Sequence, residues 1–496
     1  MRRILVVFLS CLSLLPLLSL AADGGDLARH LALKADPAVL RALEEGPAEF
    51  LCVLSEQADL TGAAALTAKE AKGDYVVAAL KETAGRTQRA VLEELHRSGA
   101  EHRAFWVANM VWARADATTA SKLALLPEVS RLAANPAVPL QKPADAATRA
   151  EALSSIEWNV AQVRAPDVWA LGYRGQGAVV AGQDTGYRWK HKALKGQYRG
   201  WDGRKASHDY NWHDAVHSHG GRCGHDAPAP CDDHSHGTHT MGTMVGDDGK
   251  GNQIGLAPAA RWIGCRNMDR GVGSPATYSE CFQWFLAPTD VSGQNPDPAK
   301  APHVINNSWG CPPSEGCTDP EVLRLVVEAA RAAGIVVVAS AGNSGPFCGS
   351  VTDPPPIYSA SLAVAATDDL DEVAGFSSRG PAGAGAGGRM KPEVSAPGVG
   401  IRSCTNTGNK SYAGMSGTSM AGPHVAGLVA LILSARPDLA GQVDRIEDIL
   451  MRTCVPRTTL EGCGGDAPGA VPNHTYGWGR IDALAAVQAA LAEPPP

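Results

Sequence analysis

The sequence predicts an α/β protein: a parallel sheet with helices on both faces, preceded by a smaller α+β unit. Three observations carry this. From Ile156 onward, short apolar runs alternate with helical stretches, the pattern of strands laid parallel and covered twice. Upstream, residues 23–134 read as strand, helix, strand, helix, strand, an order complete enough to fold separately. Between the two, residues 135–155 carry Pro136, Pro139, Pro143, Ala146 and Ala147 with no sustained periodicity, the composition of an exposed linker. A chain of 496 residues is also too long for one ordinary core.

Residues 1–22 have the layout of an export signal: Arg2 and Arg3, an apolar run over 4–20 broken by Pro16, and the small residues Ser19, Ala21 and Ala22. The proline and the shortness of the run argue against a transmembrane anchor, so the expected destination is extracellular or periplasmic. Within 23–134, a strand is expected over 50–54 and a helix over 75–97. Val77, Leu80, Ala84, Val91 and Leu95 form the apolar stripe of that helix, opposite Lys81, Glu82, Arg86, Arg89 and Glu93. A strand over 104–112, a short helix capped by Asp116 or Thr118 and stopped by Pro127, and a strand over 129–133 complete the unit. The linker 135–155 is where a protease could cut without disturbing either neighbour. Within 156–496, strands are expected over 178–182, 262–265, 304–306, 335–339 and 362–366, and the clearest helices over 320–333 and 482–491.

A net charge of −7 is spread along the chain with no basic block, which excludes nucleic acid and anionic membrane surfaces as partners. An exported chain meets an oxidising compartment, where thiols pair. Of twelve cysteines, Cys11 leaves with the signal and Cys52 lies in the upstream unit. The remaining ten suit up to five disulfides, with Cys311 to Cys317 and Cys454 to Cys463 the simplest pairs. Asp232-Asp233 and Asp247-Asp248 read as solvated turns, and no metal ligands are assigned.

Three segments carry chemistry. An apolar strand over 179–182 runs into Gln183-Asp184-Thr185-Gly186, and polar groups at the carboxyl ends of parallel strands line the crevice where ligands bind. His234-Ser235-His236-Gly237-Thr238-His239 opens a small-residue helix beside a histidine; seven further histidines lie between His208 and His239, but their spacing matches no standard zinc pattern. Gly417-Thr418-Ser419-Met420-Ala421-Gly422-Pro423 places a serine at a strand-to-helix junction, where helix-terminal N–H groups face a developing negative charge. A serine hydroxyl is a weak nucleophile. It needs a histidine to take its proton and return it to the leaving amine, and a carboxylate to fix that imidazole. Asn343, after the strand expected over 335–339, offers a side-chain amide to the oxyanion.

These segments, in the order Asp184, His236, Ser419 and with Asn343 between the last two, resemble the subtilisin-like serine peptidases, the subtilases. The resemblance extends to Ile254-Gly255-Leu256-Ala257-Pro258, to residues 376–381 and to residues 391–398. Residues 158–160, 211–216 and 306–310 are similar to one branch of that family. It implies a subtilisin-like sheet, endopeptidase activity on proteins or peptides, and Asp184, His236 and Ser419 as the catalytic set. It further implies Ser308-Trp309-Gly310 as the edge that pairs with a bound peptide, and Gly342 in the first specificity pocket. A second rim, around 267–274, departs from the common family pattern, leaving specificity open. No cofactor is required for the chemistry, and a structural calcium ion is possible by analogy. The upstream unit resembles the subtilase pro-domain, a ferredoxin-like intramolecular inhibitor whose tail occupies the active site. A monomer is expected.

Overall fold

The computed structural model describes residues 27–141, 144–145, 156–383 and 387–495. The signal expected over 1–22 and much of the expected linker lie outside the described residues. The chain forms two compact units that do not follow sequence order. The first takes residues up to 56 with 87–104 and 110–134; the second takes 57–86, 105–109 and everything from 135 onward.

In the first unit an antiparallel sheet has the order Glu101–Phe105, Met110–Ala115, Ala48–Leu54, Val129–Ala134. Phe50, Cys52 and Leu54, every second residue of the inner strand, enter a core with Val91, Leu95, Val111, Leu123 and Leu132. Asp116 caps the helix Ala117–Leu125, accepting from the Thr119 N–H at 2.8 Å. Two expected elements differ. The strand expected over 104–112 is instead two strands, Glu101–Phe105 and Met110–Ala115, because residues 106–109 turn and Asn109 takes the left-handed conformation (φ 40°) that asparagine tolerates. The helix expected over 75–97 is two helices, Lys69–Thr87 and Arg89–Ser98, broken at Gln88. The break falls in the gap that the apolar stripe leaves between Ala84 and Val91. Val91 and Leu95 belong to the first unit's core, whereas Val77, Leu80 and Ala84 belong to the second unit.

The second unit is built on a seven-stranded parallel sheet. Its order is Val394–Pro397, Leu362–Thr367, Val336–Ser340, Val304–Asn307, Val179–Asp184, Arg261–Arg266, Trp212–Asp214. The five expected strands are present with ends shifted by one or two residues, and the two outermost strands are additions. Every residue of Val336–Ser340 is buried, as a strand covered on both faces requires. Val304, Val336, Val338, Leu362 and Val364 share one core with Val425, Leu428 and Leu431 of the helix Thr418–Ala435; Ile305 and Val337 are as deeply buried on the alternate side. That helix is apolar all round and long enough to cross a membrane, yet nearly all of it is buried in the unit, as befits a central core helix. It packs on the helix His236–Val245, while Glu321–Ala332 packs on Pro275–Leu286 and on Val336–Ser340.

Among the described residues, four disulfides join Cys223 to Cys231, Cys265 to Cys281, Cys311 to Cys317 and Cys348 to Cys463. The expected pairing of Cys454 with Cys463 is therefore wrong. Cys454 follows the helix Val443–Arg452 with its thiol turned back onto the Leu450 carbonyl, and Cys463 lies instead beside Cys348, 115 residues away in sequence. Cys52, Cys404 and Cys454 are buried free thiols.

Candidate active site

The carboxyl ends of three adjacent strands gather the expected residues at one edge of the sheet. Asp184 is the last residue of Val179–Asp184, flanked by Arg261–Arg266 and Val304–Asn307. Its carboxylate is 1% exposed and receives His236 Nδ1 at 2.8 and 3.0 Å, the Thr185 N–H at 2.7 Å and the Thr240 hydroxyl at 3.4 Å. His236 begins the helix His236–Val245 after Ser235, which is left-handed at φ 91°. With Nδ1 on the carboxylate, the proton-accepting nitrogen is Nε2, which is buried and has no hydrogen-bond partner among the described residues. Glycine is required on both sides of this contact. A Cβ at Gly186 would stand 1.8 Å from the Cys231 carbonyl oxygen, and one at Gly237 would stand 2.3 Å from the Gly186 carbonyl oxygen.

Asp232, expected in a solvated turn, is instead 4% exposed and organises the start of the histidine helix. It accepts from the N–H groups of His234, Ser235 and Thr238 and from the hydroxyls of Thr185 and Thr238. Burial pushes its carboxyl up, and these five donors oppose that shift. Thr185 in turn accepts from the Gly237 N–H at 3.0 Å, tying the aspartate strand to the helix. The Asp233 side chain is also withdrawn from solvent, paired with Arg266 at 2.7 Å. The sequence carries no cap signal for it, since Asp232 lies three residues ahead of the N-cap Ser235 rather than at it.

Ser419 is the second residue of Thr418–Ala435 and 5% exposed. Its hydroxyl donates to the Ser308 carbonyl at 3.2 Å; no hydrogen bond joins it to His236. Pro423, inside the helix, has no N–H to give to the Ser419 carbonyl four residues earlier, and the Ser308 hydroxyl donates to that carbonyl instead at 2.9 Å. One proline thus explains why Ser308 is locked against the serine turn. Asn343 is oriented by Thr418, whose N–H and hydroxyl both donate to Asn343 Oδ1 at 2.9 Å. That leaves its NH₂ as the group able to donate elsewhere.

A cleft beside these residues is lined by Ser308, Trp309, Gly310, Gly342, Asn343, Thr418 and Ser419. Trp309 is stacked on Tyr278 with ring centroids 3.8 Å apart. Pro139, Leu140 and Gln141 line the same cleft. Val138–Pro139 pairs antiparallel with Val272–Gly273, and the Leu140 N–H donates to the Gly271 carbonyl at 2.6 Å, so this segment lies as a strand on the 271–273 rim. The histidine-rich loop is used differently. His213 and His217 both face Glu280, at 2.8 and 2.9 Å; burial alone would raise that carboxyl, but the two imidazoles outweigh it and hold it at about 2. Among the described residues no group of three or more His, Cys, Asp or Glu side chains is arranged to hold a metal ion.

Two further histidines brace the site. His239 Nε2 donates to the Ile401 and Ala413 carbonyls. His424 donates from Nδ1 to the Met420 carbonyl and accepts from Asn159 at 2.8 Å. Burial holds these imidazoles neutral, at about 3 and about 4. In the unfolded chain both titrate near 6.5, so below that pH the unfolded state binds more protons and stability falls with pH. Each should cost about 1–2 kcal/mol between pH 6.5 and 5, while a buried carboxyl that burial raises, such as Asp232, acts in the opposite sense. Denaturant midpoints across that interval measure this; a flat profile would contradict it.

The Subtilase family model matches residues 175–479. Bacillopeptidase F of Bacillus subtilis (strain 168) is 39% identical over 437 residues, 84% of this chain and 29% of that protein. The thermostable alkaline protease of Halalkalibacterium halodurans is 36% identical over 211 residues, 42% of this chain and 50% of that protein. Subtilisin of Bacillus pumilus is 31% identical over 285 residues, 57% of this chain and 86% of that protein. The chain thus spans less than a third of the first of these and half of the second. With a matching family model over most of the second unit, and the Asp184, His236 and Ser419 segments assembled at one edge of a parallel sheet, this chain belongs to the subtilase family.

Proposed function

We propose that the chain is an exported serine endopeptidase that hydrolyses peptide bonds through an acyl-enzyme on Ser419. The observation that carries this is the state of His236: its Nδ1 is committed to a buried carboxylate while its Nε2 is buried and, among the described residues, unbonded. That is a base with its tautomer fixed and its lone pair available. Rotation of the Ser419 hydroxyl away from the Ser308 carbonyl toward Nε2 starts the reaction. His236 takes the proton as Oγ attacks the scissile carbonyl, Asp184 stabilises the imidazolium, and the same proton passes to the departing amine. The oxyanion meets the Asn343 amide and the Ser419 N–H, which has no intrahelical acceptor at the second position of its helix. Water then repeats the sequence to release the acid.

The disulfides suit an exported protein. The strand of residues 138–139 on the 272–273 rim supports the reading that the upstream segment blocks its own cleft until it is cut. A fluorophosphonate should label Ser419 stoichiometrically and abolish turnover, while a chelator should leave the chemical step intact; the reverse outcome would exclude the proposal. Asn343→Ala should lower kcat on the order of 10²- to 10³-fold with little change in KM, because the donor acts on charge that develops after binding. Steady-state kinetics on one peptide anilide check this.

A further inference from the structure

Resting on the peptidase reading above, we propose that the cleft beside Ser419 selects a lysine or arginine side chain on the acyl side of the scissile bond, with Asp353 as its principal counter-charge and Glu315 as a second. Asp353 lines the same cleft as Ser419, Asn343 and Gly342, is 7% exposed, and spends one carboxylate oxygen, Oδ1, on the Thr352 hydroxyl at 2.7 Å. Its other oxygen lies between two walls without side chains. A Cβ added at Gly310 would stand 3.0 Å from Asp353 Oδ2, and one added at Gly342 would stand 3.9 Å from it. The two glycines therefore put no side chain between this carboxylate oxygen and the cleft that they line with it.

Glu315 enters from the loop stapled by Cys311 and Cys317 and also lines the cleft. Its Oε2 is buried with no hydrogen-bond partner among the described residues. Neither carboxylate is paired with a cation among the described residues, and the remaining lining residues are uncharged. Burial raises both carboxyls, and the Asp353 charge raises Glu315 further. Two desolvated like charges facing one cleft are relieved by an incoming ammonium or guanidinium, whereas an aromatic or aliphatic side chain would leave them buried and unpaired. Among the described residues of the upstream segment, Pro139, Leu140 and Gln141 line this cleft and bring no positive charge.

The test uses full-length processed enzyme and peptide p-nitroanilides identical except for Arg, Lys, Phe or Leu before the anilide. Fluorophosphonate titration of Ser419 first counts active sites; failure to label would sink the peptidase reading itself. With labelled sites in hand, kcat/KM for Arg and Lys should exceed that for Phe and Leu by at least about tenfold. Asp353→Asn should cut the Arg-to-Phe ratio by about tenfold or more, mainly through KM for Arg, and Asp353→Glu should keep the preference for Arg. Because the ratio is taken on one preparation, incomplete folding of a variant cancels. A wild-type preference for Phe or Leu, or an Arg-to-Phe ratio unchanged in Asp353→Asn, would overturn the inference while leaving the peptidase reading in place.

Discussion

Ser419→Ala should abolish peptide hydrolysis, by on the order of 10⁶-fold in kcat, the scale of loss in subtilisin itself, and should leave the precursor at full length. The two effects have one cause. The hydroxyl is the only atom removed, and its loss strands His236 as a base with nothing to deprotonate. The donors around it stay: the Asn343 amide is oriented by Thr418 rather than by Ser419, and the Ser419 carbonyl is held by Ser308 through a backbone atom that alanine retains. Residual hydrolysis on the order of 10³-fold above water is therefore expected from the oxyanion donors and binding alone. Intact mass and N-terminal sequencing of secreted protein report the processing. If the variant is cut at the same position as wild type in a protease-deficient host, self-cleavage is excluded and maturation belongs to another enzyme.

Much of this arrangement is legible in the amino-acid sequence because the constraints are local. A buried parallel strand must be apolar on both faces, and the five strands expected on that ground lie within one or two residues of their places. Gly186 and Gly237 are forced by backbone atoms under 2.5 Å from any Cβ, and the Pro423 that follows Ser419 leaves a carbonyl for Ser308. These requirements imprint themselves on short segments. What escaped was what periodicity and composition do not record. Asp232 and Asp233 looked like any exposed acidic pair until helix N–H groups and Arg266 closed on them. Cys463 could not be assigned to Cys348 across 115 residues, and a nearer thiol was the wrong choice. The Asn109 turn was hidden inside a run that reads as one strand, because a single left-handed residue leaves no periodicity to detect. Asp353 carried no signal at all, since only the glycines at 310 and 342 give its carboxylate a cleft to face.

Arg266→Met should strongly destabilise the second unit. The guanidinium is fully buried and donates to Asp214, Asp233 and Asp269 and to the carbonyls of Gly220, Gly224 and Met268. Those partners define the 214–233 loop: Asp214 also receives the Val216 and Ala227 N–H groups, and Asp233 the Arg270 N–H. Methionine keeps the stem's volume but strands two buried carboxylates and three carbonyls, a loss of about 3–5 kcal/mol for a broken buried pair. Removing an exposed pair such as Arg452 with Asp448 should cost under about 1 kcal/mol. Burial already raises Asp214 and Asp233, with Arg266 opposing. Without it both rise further, so the native variant takes up protons at a pH where the unfolded chain does not. The deficit should therefore be largest near neutrality and narrow on acidification. Denaturant unfolding of Arg266→Met in the Ser419→Ala background, which removes autolysis, measures both quantities. A deficit that is small or independent of pH would mean that the three aspartates do not depend on this arginine.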